Sequence, residues 1–271
     1  MVSEQAGTAQ RSDEQAAGRA APSISGVSTV VVLAVTLITA QLVIRGWLVA
    51  TGNFYWDDLI LIGRASSMPI GSWEYLGHSH DGHFMPAAFL VAGISTVLAP
   101  VTWALPAATL IVLQAVASVA VWRMIRIIAP AAGIAALAAL TFYLFTPMTV
   151  PAFTWWAAGL NTLPMQAAMA WIVGDAVLAC RTDTDDATRR RITVRSALIF
   201  LIALTFFEKS LFILPVALVA ATLSVAASRR RTETGDDDGA DDDADLAETM
   251  SPLAAAAVSY THLRAHETRH D

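Results

Sequence analysis

An acidic pair, Asp57-Asp58, directly follows the aromatic cluster Phe54-Tyr55-Trp56. Two adjacent carboxylates repel each other, so the pKa of one of them is expected to rise. A carboxylate with a raised pKa suits general-base catalysis near neutral pH. The alternative is structural, because acids also favour the positive N-terminal end of a helix. We assign Asp57 and Asp58 as candidate catalytic residues.

A second polar cluster has three histidines and one aspartate within six residues: His78, His80, Asp81 and His83. Imidazole and carboxylate groups both suit zinc, so a divalent cation is one interpretation. Binding of a phosphate or of sugar hydroxyls is a second interpretation, and a solvated polar loop is the third. We assign the four residues to substrate binding, name no metal ligands, and keep a divalent cation as the alternative.

Two further charged positions interrupt apolar sequence. Glu208-Lys209 separates two apolar runs, and a lysine there can hold a phosphate as a point charge. The alternative is an ion pair at a helix turn, which contributes little. We assign both residues to substrate binding. Asp175 lies inside an apolar run, where an acid is a functional candidate by default. Its closeness to Arg181 instead favours a structural role.

Long apolar runs determine the class of fold. The chain has 271 residues, of which 55% are hydrophobic and 15% are charged. Soluble domains are about 25% charged, and about 20 apolar residues suffice to cross a bilayer. The sequence therefore predicts an all-α polytopic membrane protein with about six transmembrane helices. The expected spans are residues 27–44, 105–125, 131–145, 163–179, 197–207 and 211–227.

Arginine positions predict the topology, because basic residues favour the cytoplasmic side. The uncharged stretch 84–122 is followed by Arg123 and Arg126, and Pro100 and Pro106 interrupt it. One span there, with 85–98 at the interface, keeps these arginines inside. The N-terminus and residues 228–271 are then cytoplasmic in a multi-pass protein of the cell membrane. The loop 46–83 is outside and contains interfacial helices.

The termini differ from this apolar centre. Residues 1–24 are polar and predict a disordered cytoplasmic tail, residues 25–227 form the transmembrane domain, and residues 228–257 form a disordered acidic cytoplasmic segment. Residues 258–271, VSYTHLRAHETRHD, resemble a translated sequencing adapter. That resemblance implies an N-terminal fragment whose natural sequence differs after about residue 257.

Residues 26–227 resemble the C superfamily of membrane glycosyltransferases, on three features: an early span, an outer loop with the acidic pair Asp57-Asp58, and the stretch DGHFMP at 81–86. The resemblance implies transfer of a sugar from a polyprenyl-phosphate donor to an acceptor at the outer face. It makes Asp57 the base and Asp58 the second choice, with His83 assisting. The implied partners are membrane lipid and the lipid-linked donor, without nucleic acid.

A transporter and a non-catalytic multi-pass protein remain the alternatives. Transporters place polar or broken-helix binding sites near the membrane midplane. This chain has its densest polar chemistry in the loop 46–83 instead, which favours an enzyme at the interface.

Overall fold

The computed structural model describes residues 29–234, and these residues are almost entirely helical. The α-helices are α1 (Thr29–Ala50), α2 (Asp57–Ser67), α3 (Trp73–Leu76), α4 (Pro86–Leu98), α5 (Ala104–Ile128), α6 (Gly133–Phe145), α7 (Val150–Thr154), α8 (Trp156–Ala179), α9 (Asp186–Phe206) and α10 (Ile213–Thr234). Short 3₁₀ helices span Pro147–Thr149 and Glu208–Phe212. A two-residue hairpin pairs β1 (Ser79–His80) with β2 (His83–Phe84).

Four helical segments within residues 29–234 are long and apolar enough to cross a membrane: Thr29–Ala50, Ala104–Ile128, Trp156–Ala179 and Glu208–Arg230. They indicate a multi-pass membrane protein, as the apolar runs predict. Two further apolar helices, α4 and α6, have 13 residues each. At 1.5 Å per residue each is about 20 Å long, which is shorter than the roughly 30 Å hydrocarbon core.

The chain divides after Thr222 into two compact units, residues 1–222 and 223–271. In the first unit α5 packs along α8, α1 packs against α5 and α6, and α9 packs against α8. Gly174 allows the close approach of α5 to α8, because a Cβ there would lie 3.1 Å from the Arg123 side chain. The described part of the second unit, residues 223–234, continues α10 as helix.

Two helices begin earlier than the apolar pattern indicates. The helix expected at 163–179 starts at Trp156, so the connection before it is shorter than predicted. The stretch 181–195, expected as a loop, is helical from Asp186. Asp185 caps that helix, since its side chain accepts the N–H of Thr188. The arginines of this stretch therefore lie on the first turns of α9.

The largest buried cluster lies beneath the loop 46–83. It joins apolar residues of α2, α4, α5 and α8, with Phe89, Leu110 and Trp156 fully buried. Tyr75 is also buried there, and its hydroxyl donates to the carbonyl of Phe89 at 2.8 Å. Burial raises the pKa of Tyr75 to about 12. The loop is thus a packed layer on the helices, which holds its polar side chains in fixed positions.

Candidate functional site

Asp58 is fully buried and its carboxylate is occupied by backbone amides. Its Oδ2 accepts the N–H of Tyr55 at 3.0 Å, and its Oδ1 accepts the N–H of Ala157 at 2.7 Å. The Ala157 amide belongs to the first turn of α8, where four N–H groups lack helical partners. Burial raises the pKa of Asp58, although the hydrogen bonds from these amides oppose the rise. Asp58 therefore ties the start of α2 to the start of α8.

Asp57 lies beside it at the first position of α2 and has a different environment. Its side chain is 14% exposed, and its Oδ1 is buried without a hydrogen-bond partner among residues 29–234. Its Oδ2 lies 3.6 Å from Nε2 of His80. The preceding residue, Trp56, has φ of +45°, a left-handed conformation that is costly for a bulky residue. Of the acidic pair, Asp57 is the member whose carboxylate is not held by backbone amides.

The hairpin brings part of the histidine cluster to Asp57. Asp81 and Gly82 form its turn with φ of +49° and +80°, and positive φ at both central residues is the requirement of a type I′ turn. His80 and His83 are paired across the strands. An Asp-Gly pair is a strong sequence signal for such a hairpin. The hairpin at 79–84 was not among our expectations, although this signal could have predicted it. One ligand atom from each of Asp57, His80 and Asp81 lies within 4.8 Å of the others.

His83 has a partner far away in sequence. Its Nδ1 lies 2.6 Å from Oε1 of Glu208, and the backbone N–H of Phe84 donates to Oε2 at 3.2 Å. Glu208 thus binds the hairpin rather than its neighbour Lys209. The ammonium of Lys209 lies 5.3 Å from the centre of the Phe207 ring. The structure therefore brings three of the proposed substrate-binding residues into one neighbourhood.

His78 stands apart from both groups. Its ring lies edge-on to Phe89, with 5.8 Å between ring centres. Burial lowers the pKa of His78, and the charges of Arg64 and His80 lower it further. His78 contributes no ligand atom to the group formed by Asp57, His80 and Asp81.

Aromatic side chains frame the acidic pair. Phe54 makes edge contacts with Trp103 and Trp156, and Tyr55 contacts Trp155 in the same way. The indole N–H of Trp156 donates to the hydroxyl of Thr109 at 3.0 Å. These contacts join the segment between α1 and α2 to the starts of α5 and α8, and they fix the position from which α2 begins. Trp155 and Trp156 gave no sequence signal for this role beyond their aromatic character.

A second fully buried acid, Asp175, lies near the other end of α8. Its Oδ1 accepts from Nη2 of Arg123 and from Nη2 of Arg195, each at 2.5 Å. Its Oδ2 accepts from Nε of Arg195 at 3.0 Å and from the hydroxyl of Ser196 at 2.9 Å. The partner expected from the sequence, Arg181, instead donates to the carbonyl of Ile127. The structural role predicted for Asp175 agrees with these contacts, but its partners are different.

The arrangement beside Asp57 can accept a proton, bind a cation or hydrogen-bond an incoming hydroxyl. These possibilities share one requirement, a carboxylate oxygen that the fold has not already paired.

No family model, curated protein sequence or solved structure matches this chain. The chemistry of these side chains and their placement therefore carry the functional argument.

Proposed function

We propose that this chain is a membrane glycosyltransferase that moves a sugar from a polyprenyl-phosphate donor to an acceptor hydroxyl at the outer membrane face. The proposal joins the resemblance of residues 26–227 to the C superfamily with the geometry of the loop 46–83. Its candidate base is Asp57. Asp58, the second member of the pair, supports the site as a buried anchor.

The contrast within the acidic pair is the observation that carries this proposal. Asp58 uses both oxygens to accept backbone N–H groups. Asp57 keeps a partly exposed side chain, and its Oδ1 has no hydrogen-bond partner among the described residues. A general base needs a free lone pair within reach of the proton that it removes. Asp57 meets this requirement better than Asp58 does.

The proposed reaction is a single displacement at the anomeric carbon. The carboxylate of Asp57 takes the proton of the acceptor hydroxyl as its oxygen forms a bond to that carbon. The bond from the carbon to the phosphate oxygen breaks, and polyprenyl phosphate leaves with the bonding electrons. Proton transfer to a positioned base typically contributes about 10²–10⁴-fold to the rate.

The leaving phosphate needs positive charge or hydrogen-bond donors nearby. Lys209 has no acidic partner within residues 29–234, so its ammonium can hold a phosphate oxygen. The His83 and Glu208 pair fixes the hairpin next to this turn. Our proposal gives His78, His80 and Asp81 the remaining contacts to sugar or acceptor hydroxyls.

The proposed topology has six spans with the loop 46–83 outside. It adds α6 and residues 197–206 of α9 to the four long segments, and both require a locally thin bilayer or tilted neighbours. Arg123, Arg181 and the arginines of α9 then lie inside, in agreement with the preference of basic residues. Exposed Tyr55, Trp56 and Trp73 suit the outer interface, where a lipid-linked donor presents its head group.

The test is sugar transfer by the full chain reconstituted in liposomes. Probes are radiolabelled polyprenyl-phosphate hexoses and pentoses, supplied together with a cell-envelope extract that provides acceptor hydroxyls, and the measurement is the movement of label from the donor to the acceptor fraction. We expect Asp57→Asn to be at least about 10²-fold slower than the wild type, because the base is lost while the size of the side chain is kept.

Glu74→Gln is the matched control, since Glu74 is an exposed acid of the same loop whose side chain has no hydrogen-bond or ion-pair partner in the described part of the chain. It should transfer sugar at the wild-type rate. Near-normal transfer by Asp57→Asn would remove Asp57 from the role of base. Failure of the wild-type protein to turn over any of these donors would contradict the transferase itself.

A further inference from the structure

We infer that Asp57, His80 and Asp81 form a binding site for a divalent cation of the Mn²⁺ or Zn²⁺ type. One nitrogen and two carboxylate oxygens, one atom from each residue, lie within 4.8 Å of one another. Bonds from zinc to nitrogen or oxygen are about 2.0–2.2 Å long, so neighbouring ligand atoms of one cation are separated by about 3–3.5 Å. A small movement of side chains closes the group around an ion.

The spacing between His80 and Asp57 is that of an ion pair without a direct hydrogen bond. Nε2 of His80 lies 3.6 Å from Oδ2 of Asp57. A hydrogen bond between such atoms is normally about 2.7–3.2 Å long. The separation is therefore too long for a direct hydrogen bond but fits two ligands of one cation.

Unpaired buried atoms provide independent support. His80 is 8% exposed, and its Nε2 has no hydrogen-bond partner among the described residues. Oδ1 of Asp57 is buried without a partner as well. Buried polar atoms normally have partners, so two unpaired atoms facing one small region require a reason. A bound cation would satisfy the imidazole nitrogen and would offset the charge of the two carboxylates.

The local backbone holds the three ligands in place. Asp57 follows Trp56, whose φ of +45° persists only where the surrounding structure fixes it. Asp81 has φ of +49° as the first central residue of the type I′ turn, which fixes its position in the hairpin. The hairpin is itself held by the contact of Glu208 with His83 and Phe84. The site is therefore largely formed before any ion binds.

The type of ligands selects the cation. An imidazole with two carboxylates suits Zn²⁺ or Mn²⁺, whereas an all-oxygen set would suit Mg²⁺ or Ca²⁺. Three protein ligands also leave coordination positions open, which is typical of catalytic rather than structural zinc sites. The remaining acid nearby, Asp58, does not contribute, because backbone amides already occupy both of its oxygens.

A cation and a proton compete for Asp57. A carboxylate that is bonded to a divalent cation is a weaker base, so this site and the proposed base are alternatives at one residue. Cation binding itself rests on the geometry alone and does not depend on the transferase. If Asp57 is the base, added Mn²⁺ slows sugar transfer.

The test is Mn²⁺ binding to the purified full chain without a polyhistidine tag, measured by the loss of the free-ion signal in electron paramagnetic resonance. Loss of an outer-shell partner already weakens metal sites by about 10–100-fold. We therefore expect His80→Ala and Asp81→Asn to bind Mn²⁺ at least tenfold more weakly at one site. The aspartates of 236–245 and the histidines His262, His266 and His270 are the same in every variant, so their contribution cancels.

His78→Ala is the matched control, because it removes a nearby imidazole that lies outside the group. It should bind Mn²⁺ like the wild type. Equal binding by the wild type, His80→Ala and Asp81→Asn would overturn the cation site and leave the transferase proposal intact. Binding at this site combined with faster transfer would support the cation site and would remove Asp57 from the role of base.

Discussion

A fully buried aspartate lies at each end of helix α8, but the partners of the two carboxylates differ. At the first turn, Asp58 of α2 accepts two backbone N–H groups. Near the last turn, Asp175 accepts three hydrogen bonds from two arginines and one from a serine. One acid is held by dipoles and the other by full charges.

This difference explains why neither buried acid is the candidate for catalysis. Two guanidinium groups offset the charge of Asp175, and its four hydrogen bonds leave no oxygen unpaired. Backbone amides occupy both oxygens of Asp58, which is fully buried and so out of reach of an acceptor hydroxyl. The carboxylate left for chemistry is that of Asp57, which neither kind of partner holds.

The largest expected effect concerns the sides of the membrane on which the two ends of α8 lie. In a Cys180→Ala background, we expect Glu74→Cys to react with an impermeant maleimide in intact cells and Asp183→Cys not to react. Both positions are exposed in the structure, so access depends on the membrane rather than on burial. Both should react after the membrane is permeabilised. Labelling of both or neither in intact cells would contradict the proposed topology.

The next effect is on stability at the end of α8 that carries Asp175. Hydrogen bonds to a charged group contribute about 1.5–3 kcal/mol. We expect Asp175→Asn to lower the free energy of unfolding by about this amount, since Arg123 and Arg195 then face a neutral amide, while their side chains, 22% and 43% exposed, can still be solvated. The measurement is SDS titration of the protein in mixed micelles.

Asp186→Asn is the control for this change. Asp186 is fully exposed, and its ion pair with Arg189 at 3.2 Å lies on the surface of α9. Exposed pairs contribute little, so this variant should unfold like the wild type. Wild-type stability of Asp175→Asn would show that the arginines do not depend on the buried charge.

The sequence predicts the helical class well, because a membrane imposes long apolar runs with arginines at their ends. The run at 105–125 corresponds to α5 within three residues, and the run at 27–44 lies within the region of α1, which continues six residues further to Ala50. The start of α8 was placed seven residues too late. Its first turn is completed by Asp58, which lies 99 residues earlier in the chain. A pattern read along the chain cannot reveal a helix cap that comes from another element.

The sequence predicts which residue types form the candidate site, but it predicts only some of the contacts between them. The acidic pair and the histidine cluster stand out by composition. Which aspartate is buried, and which histidine joins it, depends on the packing of a hairpin against α2. The pairing of His83 with Glu208 spans 125 positions and has no local signal. The partners of Asp175 are likewise on two other helices.

The smallest expected effect is a difference in stability between the variants Asp57→Asn and Asp58→Asn. Asn at position 58 offers one acceptor oxygen and turns its amide N–H₂ toward the second backbone N–H. A buried donor left without a partner costs about 1–3 kcal/mol, so Asp58→Asn should lower the free energy of unfolding by this amount. Asp57→Asn should change it by less than about 0.5 kcal/mol, because it breaks no hydrogen bond that the structure contains.

The loss of unfolding free energy in Asp58→Asn should depend on pH, and this dependence tests whether burial controls the pKa of Asp58. Because burial raises the pKa of Asp58 above its ordinary value of 3.8, the folded state binds this proton more tightly than the unfolded state. Wild-type stability therefore falls as the pH rises from 3.8 through the folded pKa. Asn does not titrate, so its deficit relative to the wild type should shrink over this range. A deficit that grows with pH would mean that the amides of Tyr55 and Ala157 stabilise the carboxylate more than burial destabilises it.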